Sequence, residues 1–96
     1  MRKLRDLHPG KVLLENFLAP RDLTQHAFAR SIAISPRRVN EIVLGKRAIT
    51  ADTALRLAHY FGTSEQFWMS LQAGYDLAEA RSKLGRRLKQ LDQARV

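Results

Sequence analysis

Residues Thr24 to Gly45, TQHAFARSIAISPRRVNEIVLG, constrain the fold most, because two complete sets of helix signals stand there with only a tight turn between them. Thr24 opens the first helix, its hydroxyl placed to accept from an unpaired backbone N–H two or three residues on. Phe28, Ala29 and Ile32 then fall on one face at helical spacing. After Ala33 and Ile34, Ser35 caps a second helix and Pro36 suits its first position, where no backbone donor is needed. Val39, Ile42 and Val43 form its buried stripe. Gly45 ends it, since the residue after a helix often turns left-handed, at almost no cost for Gly.

Between those apolar positions the second helix turns Arg37, Arg38, Asn40 and Glu41 away from the core. Arginine and asparagine make paired hydrogen bonds to guanine and adenine edges in the major groove, so this helix has the chemistry of a reader. Residues 24–50 carry five basic side chains (Arg30, Arg37, Arg38, Lys46, Arg47) against Glu41, a net charge of +4. That charge predicts a phosphate-facing surface and a helix-turn-helix, against the plainer reading of a helical hairpin with a solvated basic face.

At 96 residues the chain is expected to form one all-α domain around a single core. Its 17 basic and 9 acidic side chains leave +8, which favours a polyanionic partner, nucleic acid first. No cysteine is present, so disulfides and thiolate metal sites are excluded and a cytoplasmic location is expected. The opening MRKLRDLH lacks the apolar run of a signal peptide, and no segment approaches bilayer-spanning length, so no membrane role is expected.

In chain order, residues 1–7 read as a basic leader, 8–78 as the DNA-binding domain and 79–96 as a basic extension. Pro9 suits the first turn of a helix to about Leu18 with Val12, Leu13, Leu14, Phe17 and Leu18 on its buried side. Residues 19–22 form a turn around Pro20. Thr50 caps a fourth helix, with Asp52 near its positive end, Ala54, Leu57, Ala58 and Phe61 on one face and Gly62 as its stop. Either Ser64 or Thr63 caps a fifth, which brings Phe67, Trp68, Leu71 and Tyr75 against helices one and four. Trp68 at this spacing reads as packing rather than as a base-stacking platform. Residues 79–96 carry six basic side chains against Glu79 and Asp92; Leu77, Leu84 and Leu91 recur every seven residues, with Leu88 between and Gly85 interrupting. The segment is either a frayed, solvated end or a helix that forms against a partner or a second protomer.

Catalytic and cofactor sites are not expected. His8, His26 and His59 are scattered without second ligands, no nucleophile with base and orienting acid is spelled out, and no two glycines sit close enough for a phosphate loop. Glu41, beside two arginines, is better placed to orient one of them than to act as a catalytic acid.

Taken in order, HPGKVLLENFL, LTQHAFARSIAISPRRVNEIVLGKRAITADTALRLAHYFGTS and EQFWMSLQAGYDL resemble the HigA-type addiction-module antitoxins, a branch of the phage-repressor-like helix-turn-helix family, over about residues 8–81. The resemblance implies a five-helix domain, not an enzyme, that acts as a homodimer on its own double-stranded operator. It also implies binding to, and neutralisation of, a HigB-type mRNA-cleaving toxin. By matching position it assigns base edges to Ser35, Arg37, Arg38 and Asn40 and a phosphate to Gln25 at a helix N-terminus. Thr24, Lys46 and Arg47 join Gln25 as expected phosphate contacts. Ala33 stands at the tight turn where the wider family usually has Gly; a positive φ there would cost roughly 1 kcal/mol. Because such toxins also tend to be basic, toxin contact is expected to use local acidic or apolar patches. The competing readings are a stand-alone or phage-derived regulator with no toxin, and an RNA-binding or adaptor protein.

Overall fold

The structure, a computed structural model, describes residues 7–94, so most of the expected leader and the last two residues lie outside the described residues. It is all-α: α1 (Pro9–Val12), α2 (Gln25–Ser31), α3 (Pro36–Val43), α4 (Ala51–Phe61) and α5 (Glu65–Leu84) follow in order. Sequence caps lie where the residue types place them. Thr24, Ser35, Thr50 and Ser64 each accept from the backbone N–H three residues on, which relieves an unpaired donor at each helix start. Ser64 is therefore the cap left open between two candidates, and Thr63 instead accepts from Trp68 Nε1 at 2.8 Å.

The first helix differs from the expected plain α-helix to Leu18. It continues from Val12 as a π-helical stretch, Leu13–Leu18, and then a 3-10 turn, Ala19–Arg21. The wider π turn brings residues five apart towards one face. Leu13 and Leu18 thereby reach the core together, and Phe17 joins Phe61 and Trp68 at 4.8 Å between ring centres in each case.

Side chains from all five helices meet in one core: Val12, Leu13 and Leu18, then Phe28 and Ala29, Val39 and Ile42, Ala54 and Leu57, Trp68 and Leu71. Burying each large apolar group contributes about 1.5–3 kcal/mol. Trp68 is wholly buried, so it packs and cannot stack on a base. Ile49, in the loop before α4, is buried too, and its N–H donates to buried Gln72 Oε1 at 2.7 Å. Gly10 sits where α1 crosses α3: a Cβ there would run into the Ile42 carbonyl and lie 2.9 Å from the Val43 Cα.

α5 does not break near residue 78, so the expected domain boundary falls within a helix. It packs through Trp68, Leu71 and Gln72, and beyond Ala78 every described residue is exposed. Gly85, at φ 49°, ends α5, and a 3-10 segment, Gly85–Gln90, follows.

Candidate nucleic-acid interface

The α2–α3 turn fixes the geometry of the basic surface. Ile34 N–H donates to Ala29 O and Ala33 N–H to Arg30 O, a Schellman closure that needs a left-handed residue at position 33. Ala33 supplies it at φ 58°. The turn has a second support, because Arg56 of α4 donates through Nη1 to Ile32 O at 2.8 Å and to Ala33 O at 3.2 Å. Asp52 holds that arginine through Nε at 3.0 Å. This strut was missed in the sequence, although Asp52 and Arg56 stand four apart, the spacing of a helical ion pair.

The residues expected to touch nucleic acid stand in different settings. Thr24 and Ser35 spend their oxygens as acceptors on the α2 and α3 caps, each at 3.1 Å, and remain exposed. Asn40 and Gln25 are brought together across the turn: Asn40 Nδ2 donates to Gln25 Oε1 at 3.1 Å. The α3 residue expected to read a base is thus coupled to the α2 residue expected to hold a phosphate. Arg37 projects outwards with 88 % of its side chain exposed.

Arg38 behaves differently from the expected reader. Its Nη2 donates to Thr53 Oγ1 at 2.8 Å and lies 3.6 Å from Asp52 Oδ2, while its Nε is buried without a partner. The side chain is turned back onto α4 instead of outwards with Arg37. α3 carries it into contact with α4 because it lies next to Val39, which is buried.

Lys46 is exposed just after Gly45, where its N–H closes α3 on Glu41 O at 2.8 Å. Arg47 is not free: its Nε and Nη2 both donate to Glu41 Oε1, at 3.0 and 2.9 Å. Arg37 Nε lies 3.6 Å from the other oxygen. The Arg47 hydrogen bonds, with the charges of both arginines, hold the Glu41 carboxyl below the usual carboxylate range. No group of three or more potential metal ligands occurs among the described residues. Among the same residues no helix is long and apolar enough to cross a membrane.

A helix-turn-helix family model matches residues 14–68. The chain is 51 % identical to virulence-associated protein I of Dichelobacter nodosus over 74 residues, 77 % of this chain and 68 % of that protein. Its structure is similar to that of the Pseudomonas aeruginosa antitoxin HigA, solved with the higBA promoter: 41 % identity, TM-score 0.89, covering 95 % of this chain and 99 % of that one. An addiction module antidote protein of the HigA family from Coxiella burnetii is 40 % identical, with TM-score 0.88 over 95 % of this chain and 99 % of that one.

Proposed function

From a chain that belongs to the helix-turn-helix family, among its HigA-type antitoxins, we propose a protein that binds operator DNA as a two-fold dimer, represses its own operon and neutralises a HigB-type mRNA-cleaving toxin by direct contact. The observation that carries the DNA reading is the Asn40–Gln25 hydrogen bond beside exposed Arg37. It presents a base-reading amide, a phosphate donor at a helix N-terminus and a guanidinium on one side of the turn, before any DNA arrives. Asn40 and Arg37 read base edges. Thr24, Gln25 and Lys46 contact the backbone, Arg47 does so only as far as Glu41 releases it, and Ser35 sits between the two groups at the start of α3. Arg38 seats α3 on α4.

A dimer follows from the size of the reader, since one eight-residue helix covers few base pairs and a symmetric pair doubles the site. Half-sites should lie about 34 Å apart, or a multiple of it, on one face of the duplex. Operator binding places this work in the cytoplasm, with the DNA. The test has two arms. Footprinting on the DNA upstream of the chain's own gene should protect two equivalent half-sites, and protection of a single half-site at full affinity would refute the dimer. Co-expression with the neighbouring gene should relieve that gene's toxicity and yield a co-purifying complex; a harmless neighbour would leave a stand-alone regulator.

A further inference from the structure

Glu41 is an anomaly on this surface. It is the one carboxylate between residues 24 and 50, and it lies on the helix assigned to the major groove. A negative charge there repels phosphate, and 27 % of its side chain stays exposed, so it is not a fully buried group whose presence packing alone explains. Its partners do. Arg47, from the loop after α3, makes both of its short bonds to one carboxylate oxygen, and Arg37, one turn earlier on α3, approaches the other. Two guanidiniums and one carboxylate thus form a group of net charge +1 where the two arginines alone would present +2.

We propose that Glu41 is a specificity-determining residue that acts through Arg47 and Arg37, lowering affinity for non-cognate duplex more than for the operator. The inference rests on the DNA-binding reading above and deepens it. On random DNA the protein is held by phosphate contacts alone, so affinity follows the number of cations free to displace counterions. Glu41 withholds Arg47 from that pool and adds its own repulsion. On the operator the same carboxylate attracts the exposed Arg37 guanidinium from 3.6 Å, one turn from Asn40, and a guanidinium biased towards one position loses less freedom when it meets a base edge. The repulsive and the orienting effects offset each other at the operator, and only the repulsive one acts elsewhere. Discrimination therefore comes partly from a penalty on the wrong partner.

Glu41 is a positioning residue, and the test must separate it from a direct reader. The probes are a duplex selected by the wild-type chain from a randomised pool and a scrambled duplex of the same composition, titrated at several salt concentrations. Glu41→Gln keeps size and an acceptor but removes the charge. It should raise scrambled-duplex affinity about three- to tenfold and steepen the salt slope on it by about one unit, while selected-duplex affinity changes less, so the ratio falls. In an Arg47→Ala background the same substitution should have a clearly smaller effect on the scrambled duplex, because the withheld cation is gone. Equal changes on both duplexes overturn the proposal. So does loss on the selected duplex alone with an unchanged salt slope, the signature of Glu41 accepting from a cytosine amino group. Thermal melts of the variants guard against misfolding; Glu41→Asp, whose shorter side chain keeps the charge, should stay closer to wild type on the scrambled duplex than Glu41→Gln. If the wild-type chain enriches no sequence from the pool, the DNA-binding reading itself falls, an outcome distinct from the others.

Discussion

Gly10 and Ala33 make opposite compromises at single positions. Gly10 has no side chain because α1 lies directly on the backbone of α3, so its substitution sets a methyl group against a carbonyl that cannot swing away. Gly10→Ala should cost about 3 kcal/mol or more in denaturant unfolding, with α3 displaced as well. Ala33 carries a methyl group where the left-handed turn would prefer none. Relief of about 1–2 kcal/mol of strain, less about 0.4–1 kcal/mol of extra unfolded-chain freedom, leaves Ala33→Gly more stable by up to about 1.6 kcal/mol, about 0.8 kcal/mol at the middle of both ranges. An Ala33→Gly variant that melts below wild type would show that the Schellman closure and Arg56 already absorb the strain. His8, the acceptor that caps α1, gives a pH-dependent case. Its Nδ1 accepts from Gly10 N–H at 3.0 Å and its ring meets Tyr75 edge-on at 4.8 Å. Burial pushes its pKa below the ordinary histidine value, with the Asp76 charge opposing in part. Since the folded chain holds the proton less tightly than the unfolded one, this stability is fully present above about pH 6.5 and is lost as pH falls towards the lowered value. Melting temperature should therefore fall between about pH 7.5 and 5.5 more steeply for wild type than for His8→Asn, which keeps a capping acceptor but no proton site. Parallel curves would remove His8 from the account.

Among elements, α3 sets outward-facing Arg37 and Asn40, the proposed readers, apart from Arg38, which is turned back onto α4. Asn40→Ala should cost about 1–3 kcal/mol on the operator and much less on random DNA. Lys46→Ala should weaken both alike and reduce the salt slope by about one unit. Arg38→Ala belongs with neither: it removes the link from α3 to Thr53 and Asp52, so it should lower folding stability and both affinities together. A selective loss on the operator for Arg38→Ala, with an unchanged melt, would return it to the readers. The difference between Arg38 and its neighbours also marks what could be read in advance. Helix ends were legible because Thr24, Ser35, Thr50, Gly45 and Gly62 act on their own few residues. The direction of Arg38 depends on α4, fifteen residues away, and no local pattern carries that information. The π turn of Leu13–Leu18 was hidden likewise: its five-residue spacing only makes sense once Phe61 and Trp68 are in place to receive Phe17. The burial of loop residue Ile49 had no local signal, because Gln72, the acceptor for its N–H, lies 23 residues on. For the site, Arg37 and Asn40 were legible as outward-facing and the Asp52–Arg56 pair had its four-residue spacing as a signal, whereas the Glu41 grip on Arg47 and the reach of Arg56 to the turn carbonyls arise from packing.

The whole molecule is elongated, 52 Å along its longest axis against 27 and 23 Å, because α5 leaves the core near Ala78 and carries its last turns away from it. Leu77, Leu84, Leu88 and Leu91 are all exposed there, at 52, 42, 50 and 62 %. Two of them lie beyond Gly85, in or after the 3-10 segment, so the stripe bends where the α-helix stops. Apolar side chains in a row on a projecting helix contribute nothing to the core of the chain that bears them, but gain when a second copy covers them. A two-fold pair would also bring two basic segments together, and the cost of that repulsion falls as salt rises. Cutting after Arg81 tests this without touching the core, since Trp68, Leu71 and Gln72 all precede the cut. The truncated chain should keep its helical fold and melt at a temperature independent of protein concentration. The full chain should melt at a temperature that rises with concentration, as linkage to a dimer requires. Salt should strengthen the full-length dimer, and loss of Lys83, Arg86, Arg87, Lys89 and Arg95 should flatten the salt dependence of DNA binding. If the truncated chain still dimerises at the same concentration, the two-fold contact lies within the retained chain, up to Arg81 of α5, and Leu84, Leu88 and Leu91 serve another partner.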